Sequence, residues 1–275
     1  MDCLRPLVLP QGAVPCGKCP ACLKRRQSDW ALRMMLESGF YNNNLFITLT
    51  YDDDHIPSTG FVSRDECQRY LKRLRKFIYP HRIRYFLCGE YGAKTYRPHY
   101  HAVFFGYPEG DVFFKAIDSC WSKGFVTVER FNQNRAYYVA KYISSVQLLP
   151  PRLLSKEAKP FSLMSRRPGL GFPYLSPAFV SYIRNSPKHF VRHFGYSFAL
   201  PRYFREKIFD TETLKQIRCN ETNSYRENKI LDYIRRYADS DFSRIVSGDP
   251  NTMYDQILSE EIRKLNVQIL KNSKI

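Results

Sequence analysis

The stretch Arg84–Gly106, Arg-Tyr-Phe-Leu-Cys-Gly-Glu-Tyr-Gly-Ala-Lys-Thr-Tyr-Arg-Pro-His-Tyr-His-Ala-Val-Phe-Phe-Gly, constrains this chain more than any other. It reads as two strands joined by a basic loop punctuated by Gly and Pro. Side chains alternate along a strand, so His99 and His101 share one face, with Val103 and Phe105 behind them. Two imidazoles on one face make half of a metal site. Glu90, at the end of the preceding strand, is the nearest well-placed carboxylate. Two His and one carboxylate with open positions suit a divalent ion, Mg²⁺ or Mn²⁺, and leave room for a phosphate.

Spacing alone leaves a second reading open, in which the histidines are two polar groups at a sheet edge. Zinc hydrolases that use His-x-His usually add a nearby Asp-His pair, which is absent here. Two-histidine phosphoesterases need a second His-x-Thr/Ser repeat, also absent. The rest of the chain has to decide.

Lys and Arg number 43 against 26 Asp and Glu, a formal net charge of +17 over 275 residues, with 20 Tyr and 20 Phe interleaved. Cations for phosphates and flat rings for unstacked bases point to a nucleic-acid surface. Charge by itself does not separate DNA from RNA or from acidic membranes. No basic-then-apolar leader opens the sequence, and no apolar run approaches the roughly 18 residues of a membrane span. The eight cysteines are therefore expected as thiols in a reducing cytoplasm. Cys67, Cys88, Cys120 and Cys219 stand singly and read as small buried residues. Cys3 and the run Cys16-Gly-Lys-Cys19-Pro-Ala-Cys22 differ: Cys-x2-Cys spacing, repeated once, presents thiolates to a single structural zinc that Cys3 would complete. Free thiols in a loop are the alternative.

Four segments follow from the patterning: a Cys-rich start with a first helix (1–40), an enzymatic core (41–149), a basic Pro-rich segment (150–200) and a helical region (201–275). Residues 21–40 read as a helix, 45–51 as a strand, and Asp52-Asp53-Asp54 as a solvated turn. Ser63-x-x-Glu66 forms a capping box for a helix to Tyr79, with Tyr70, Leu71, Leu74, Phe77 and Ile78 inward. Strands are expected at 83–88, 99–106 and 124–130, and helices at 111–123, stopped by Gly124, and at 135–145. Together these give an α+β layout with a central antiparallel sheet flanked by helices. Pro150, Pro151, Pro160, Pro168, Pro173 and Pro177 make the next segment irregular, lying over the domain. His189 and His193 have the spacing of one helical turn but no acidic or thiol partner nearby in sequence.

On the last core helix, Tyr138 and Tyr142 stack four residues apart on one face, with Lys141 beside them. A phenol has pKa near 10, so it becomes a useful nucleophile only when its target is polarised or a cation stabilises the phenolate. A metal at His99, His101 and Glu90 would polarise a phosphodiester, and Lys141 would offset charge. Packed interface tyrosines are the bland alternative.

Three motifs, in order, resemble the HUH endonucleases, and within them the rolling-circle initiators of microviruses. Phe46-Ile-Thr-Leu-Thr50 looks like the family's first motif strand. Pro98-His-Tyr-His101 with Gly89-Glu90-Tyr-Gly92 upstream looks like the HUH motif, and Tyr138-Val-Ala-Lys-Tyr142 like its two-tyrosine motif. Cys3, the cysteine run and Ser165-Arg-Arg-Pro-Gly-Leu-Gly171 resemble the gokushovirus branch. The resemblance covers about residues 1–175 and implies the HUH nuclease fold. It implies nicking of a single-stranded plus-strand origin, with the 5′ end held on tyrosine and the circle later religated. The implied setting is the host bacterial cytoplasm, with host helicase and polymerase as partners. Lys94, Arg97, Arg166 and Arg167 are the expected DNA contacts. Two rivals stand: a relaxase- or transposase-like nickase, and a non-catalytic single-strand-binding replication protein.

Overall fold

The computed structural model describes residues 3, 7–9, 12–144, 149–153, 155–186, 190–237, 257, 259, 260 and 263. Two compact units emerge: Arg25–Ile208, and Met1–Lys24 together with Phe209–Ile275. In chain order the elements are β1 (Leu7–Leu9), β2 (Gly12–Val14), α1 (Pro20–Ser38), β3 (Asn44–Thr50), α2 (Arg64–Phe77), β4 (Arg84–Tyr91) and β5 (Pro98–Phe105). They continue with α3 (Asp111–Trp121), β6 (Val126–Arg130), α4 (Gln133–Ser144), β7 (Phe161–Met164) and α5 (Pro177–Asn185). The last are β8 (Phe190–His193), β9 (Tyr196–Ala199), α6 (Arg202–Ile208) and α7 (Thr211–Tyr237).

Five strands form the central sheet in the order β6-β3-β5-β4-β7, each antiparallel to its neighbours. The α+β layout expected from the sequence is therefore the one adopted. Its middle strand, β5, is apolar on both faces, because both are covered. Tyr100, Ala102 and Phe104 pack with Tyr70, Leu71 and Leu74 of α2 and with Ile117 and Trp121 of α3. On the opposite face Val103 and Phe105 are fully buried beside Phe46 and Phe86. There Trp30 of α1 meets Phe86 at 5.5 Å, and Tyr138 of α4 meets Phe46 at 6.1 Å between ring centroids. Removing these aromatic surfaces from water is the main force closing the two layers onto the sheet.

Several local expectations change. Ser63 caps α2, its Oγ accepting from the Glu66 N–H at 3.3 Å. The reciprocal half of the box is not made: Ser63 N–H donates to the Tyr100 hydroxyl at 2.8 Å, and the Glu66 carboxylate accepts from Tyr51 and Lys123. A buried phenol pair needing partners outcompetes the local cap. Phe77 is 48% exposed, and Ile78 takes the inward position instead. Helix α3 ends at left-handed Ser122, two residues before Gly124.

The Pro-rich segment is more ordered than its composition indicates. It contributes β7 as the fifth strand, pairing Phe86 with Met164 and Gly89 with Phe161. Gly89 permits that approach, since a Cβ there would lie 2.9 Å from the Phe161 ring. Beyond β7, the turn at 165–171 is fastened to α1. Buried Glu37 accepts from Arg84 and, at 2.6 Å, from Gly171 N–H; Arg33 donates to Leu170 O at 3.0 Å. Leaving Glu37 unpaired would cost about 3–5 kcal/mol.

Candidate active site

The register places the site. Across β4 and β5, Glu90 pairs with His99 and Cys88 with His101; across β3 and β5, Thr48 pairs with His101 and Thr50 with His99. Because side chains alternate, Glu90, His99, His101 and Thr48 all project to the face covered by α4. Both His99 Nε2 and His101 Nε2 lie 2.8 Å from Glu90 Oε1. Burial works to raise the Glu90 carboxyl, but hydrogen bonds to His101 and His99 outweigh it and hold the pKa below its ordinary value. Burial works to lower His99, yet the Glu90 carboxylate outweighs it, so His99 is raised. For His101 burial prevails and the pKa falls.

These groups fit a divalent cation. Their ligand atoms all lie within 4.8 Å of one another. Glu90 is 1% exposed, and its Oε2 is buried with no hydrogen-bond partner among the described residues. A carboxylate oxygen in that state is costly unless a cation takes it. The tautomers agree as well. His99 Nδ1 lies 3.2 Å from Arg97 O, a carbonyl that only accepts, so Nδ1 carries the proton and Nε2 is the ligating nitrogen. His101 Nδ1 is 3.0 Å from Thr48 Oγ1, which leaves its Nε2 facing Glu90 in the same way.

Helix α4 brings both tyrosines over this cluster. Tyr138 Oη is 3.4 Å from His101 Nε2, and the Tyr138 ring stands edge-on to His101 at 5.1 Å. Tyr142 lies parallel to His101 at 5.6 Å and edge-on to Tyr138 at 5.2 Å. Burial, then Tyr138 and the Glu90 charge, push the Tyr142 phenol far above its ordinary pKa. Tyr138 is 43% exposed. Lys141 is exposed on the same helix. Tyr137 turns toward α1, where burial raises its pKa and Ser28 hydrogen-bonds its phenol.

The expected DNA contacts separate. Lys94 is exposed in the loop next to the site. Arg97, in the same loop, is engaged within the protein, donating to Asp53 Oδ1 at 2.6 Å and Tyr51 O at 2.7 Å. Arg166 and Arg167 are exposed just after Ser165, whose N–H bonds Tyr85 O at the start of β4. Glu90 is near that strand's other end, about 17 Å away at roughly 3.3 Å per residue. These two arginines cannot reach the same phosphate as the histidines. Thr48 was not singled out by the sequence; only the alternation of Phe46-Ile-Thr-Leu-Thr50 together with the strand register reveals it. Of the isolated pair, His193 lies on a strand rather than a helix, and His189 lies outside the described residues.

A second cluster occupies the smaller unit. Cys3, Cys16, Cys19 and Cys22 bring four sulfurs within 4.8 Å of one another. Cys3 Sγ and Cys19 Sγ are 4.0 Å apart, close to the roughly 3.8 Å edge of a tetrahedral zinc–thiolate site and far too long for a disulfide. Backbone N–H groups of Lys18 and Cys19 point at Cys16 Sγ, and that of Cys16 at Cys3 Sγ. Burial works upward on Cys16, but those N–H donors bring it down to about 6. Four sulfurs so close are compatible with a metal ion.

Residues 44–147 match the family described as replication-associated protein ORF2. Similar proteins include Replication-associated protein ORF4 of Chlamydia phage 1, 28% identical over 74% of this chain and 58% of that protein. Replication-associated protein ORF2 of Spiroplasma virus 4 is 28% identical over 92% of this chain and 82% of its own length. Replication-associated protein VP4 of Bdellovibrio phage phiMH2K is 30% identical over 47% of each. The chain belongs among the phage replication-associated proteins. The family match contains all six residues of the histidine–glutamate–tyrosine–lysine cluster, and the cysteine cluster lies outside it. No solved structure matches this replication-associated chain.

Proposed function

We propose that this protein initiates rolling-circle replication by nicking the single-stranded plus-strand origin of a phage genome. What carries the reading is the Tyr138 phenol poised 3.4 Å from His101 Nε2, over the two-histidine, one-glutamate cluster. His99, His101 and Glu90 would hold Mg²⁺ or Mn²⁺. When bound, the cation supplies positive charge that polarises a phosphodiester. Tyr138 or Tyr142 attacks the phosphorus, the bond to the 3′ oxygen breaks, and a 5′-phosphotyrosine and a free 3′-OH result. The proton given up by the phenol balances the one taken up by the leaving oxygen. Lys141 offsets negative charge at the phosphate, while Lys94, Arg97, Arg166 and Arg167 serve the flanking strand.

The second phenol gives the site a way to cut again while the first 5′ end is still held. The 3′-OH of the second cut then attacks the first phosphotyrosine and closes a unit-length circle, conserving the ester. In the host cytoplasm, host polymerase would extend the first 3′-OH and host helicase would open the duplex. No helix among the described residues is long and apolar enough to cross a membrane. The four cysteines would hold a structural zinc.

The decisive experiment mixes purified protein with an origin-bearing single strand and Mn²⁺ and looks for a covalent adduct on a denaturing gel. An adduct lost with chelator and with His99→Ala is expected. A non-catalytic single-strand-binding role predicts binding with no adduct, and that outcome would overturn the proposal.

A further inference from the structure

Strands β8 and β9 form a hairpin whose base is anchored by buried Val191, Phe198 and Leu200. His193 pairs with Tyr196, so the connection is the two-residue turn Phe194-Gly195. Its φ angles are +47° and +77°, both in the left-handed region. Such turns favour Asn-Gly or Gly-Gly, because only those residues enter that region cheaply. A phenylalanine there costs backbone energy. It recovers little of that cost by burial, since Phe194 is 69% exposed and its main ring neighbour is His193, at 4.3 Å between centroids. Phe190 and Tyr196, at 46% and 63% exposure, add two more uncovered rings, and Arg192 is exposed between them. Three large rings and a guanidinium held in solvent on one small hairpin are explained by neither packing nor turn chemistry.

The hairpin's position gives them a use. Tyr196 lies within electrostatic reach of the Tyr137 phenol, and Tyr137 is the neighbour of Tyr138 on α4. We infer that the β8–β9 tip is a base-stacking element, in which Phe194, flanked by Tyr196 and Arg192, holds an unpaired base of single-stranded DNA beside the nucleophile helix. This rests on the reading that the substrate is single-stranded DNA. Flat exposed rings with an adjacent cation match a base with its phosphate, and the +17 net charge favours a polyanion over an apolar partner. Strain at an exposed residue is retained where the residue acts on something outside the fold.

Phe194→Asn is the natural test, because asparagine suits the turn and removes only the ring. Binding of fluorescein-labelled oligo(dT) would be followed by anisotropy, with chelator present so that cleavage plays no part. The expected result is a Kd raised about 5- to 100-fold, the loss of one stacked base, with an unchanged or higher melting temperature. Phe194→Trp should bind as the parent does, and an abasic oligonucleotide should not distinguish the parent from Phe194→Asn. Tyr196→Ser gives an independent arm should the first variant fold poorly. Parental affinity for oligo(dT) in both Phe194→Asn and Tyr196→Ser would overturn the inference and leave the patch to a protein partner. The two readings fail separately: weakened binding without any adduct in Mn²⁺ sinks the nicking mechanism alone, and a normal adduct with unchanged binding sinks the stacking element alone.

Discussion

Thr48→Val tests how the candidate metal centre is built. The two side chains are nearly isosteric, and valine suits a strand, so β3 should keep its place in the sheet. What disappears is the hydroxyl 3.0 Å from His101 Nδ1. His101 is only 4% exposed, so water does not readily replace that partner. A buried ring nitrogen left unpaired costs about 1–3 kcal/mol, and each 1.4 kcal/mol is about tenfold. The imidazole can escape part of the cost by rotating, which moves Nε2 away from Glu90. Either way metal affinity should fall roughly 10- to 100-fold, the range usual for loss of a group that orients a ligand. Free Mn²⁺ measured by electron paramagnetic resonance during a titration reads the affinity directly. Adduct formation should recover at saturating metal, and Thr48→Ser should stay close to the parent. Superimposable Mn²⁺ isotherms for parent and Thr48→Val would refute the reasoning.

Three further outcomes are expected. Tyr138→Phe and Tyr142→Phe should each retain some single nicking while the double variant forms no adduct; an adduct in the double variant, or one mapped to Tyr137, would exclude the paired-tyrosine scheme. Protein purified without chelator should contain about one zinc per chain, and Cys19→Ser should lose it and melt at lower temperature; no zinc and an unchanged melting point would make the cysteines ordinary thiols. Asp29, among Arg25, Arg33, Arg202 and Arg205, is raised by burial to about 6 despite those cations. The folded state therefore binds its proton more tightly than the unfolded chain does, so this group's contribution falls as pH rises from about 4 to 6 and is flat above. Asp29→Asn should stabilise the protein at pH 8 relative to pH 5 when each is compared with the parent; identical pH profiles would contradict that assignment.

The catalytic half of the molecule was legible because its chemistry and its secondary structure share a period. Alternation in 98–105 put His99 and His101 on one face before any register was known, and the helical spacing of Tyr138 and Tyr142 put both phenols on another. Glu90 followed as the carboxylate at the end of the adjoining strand. Thr48 was not legible, because its role exists only once β3 is paired with β5 in a particular register. Strand β7 was missed for a related reason. Phe161–Met164 is four residues long and bounded by Pro160 and the turn after Met164, too short for a period to show. It is a strand because β4 offers an open edge and Gly89 makes room for Phe161. The Glu66 half of the capping box failed because a tertiary partner, Tyr51, outcompeted a local one.

On the proposed mechanism the two tyrosines should not be interchangeable, although they are one turn apart. Tyr138 is half in solvent and directs its hydroxyl at His101 from the open side. Tyr142 lies flat against the same imidazole, 17° from parallel, with Tyr138 edge-on to it. A strand arriving from solvent therefore meets Tyr138 before Tyr142, which favours Tyr138 for the first cut. Once Tyr138 carries the 5′ phosphate, its ring can no longer rest edge-on against Tyr142 without bringing the phosphate over the cluster. Displacing it uncovers the second phenol, still seated against His101, for the strand that synthesis returns. Occupation of one nucleophile would thus open the other, and the order of cuts would follow from how the two rings pack on a single histidine.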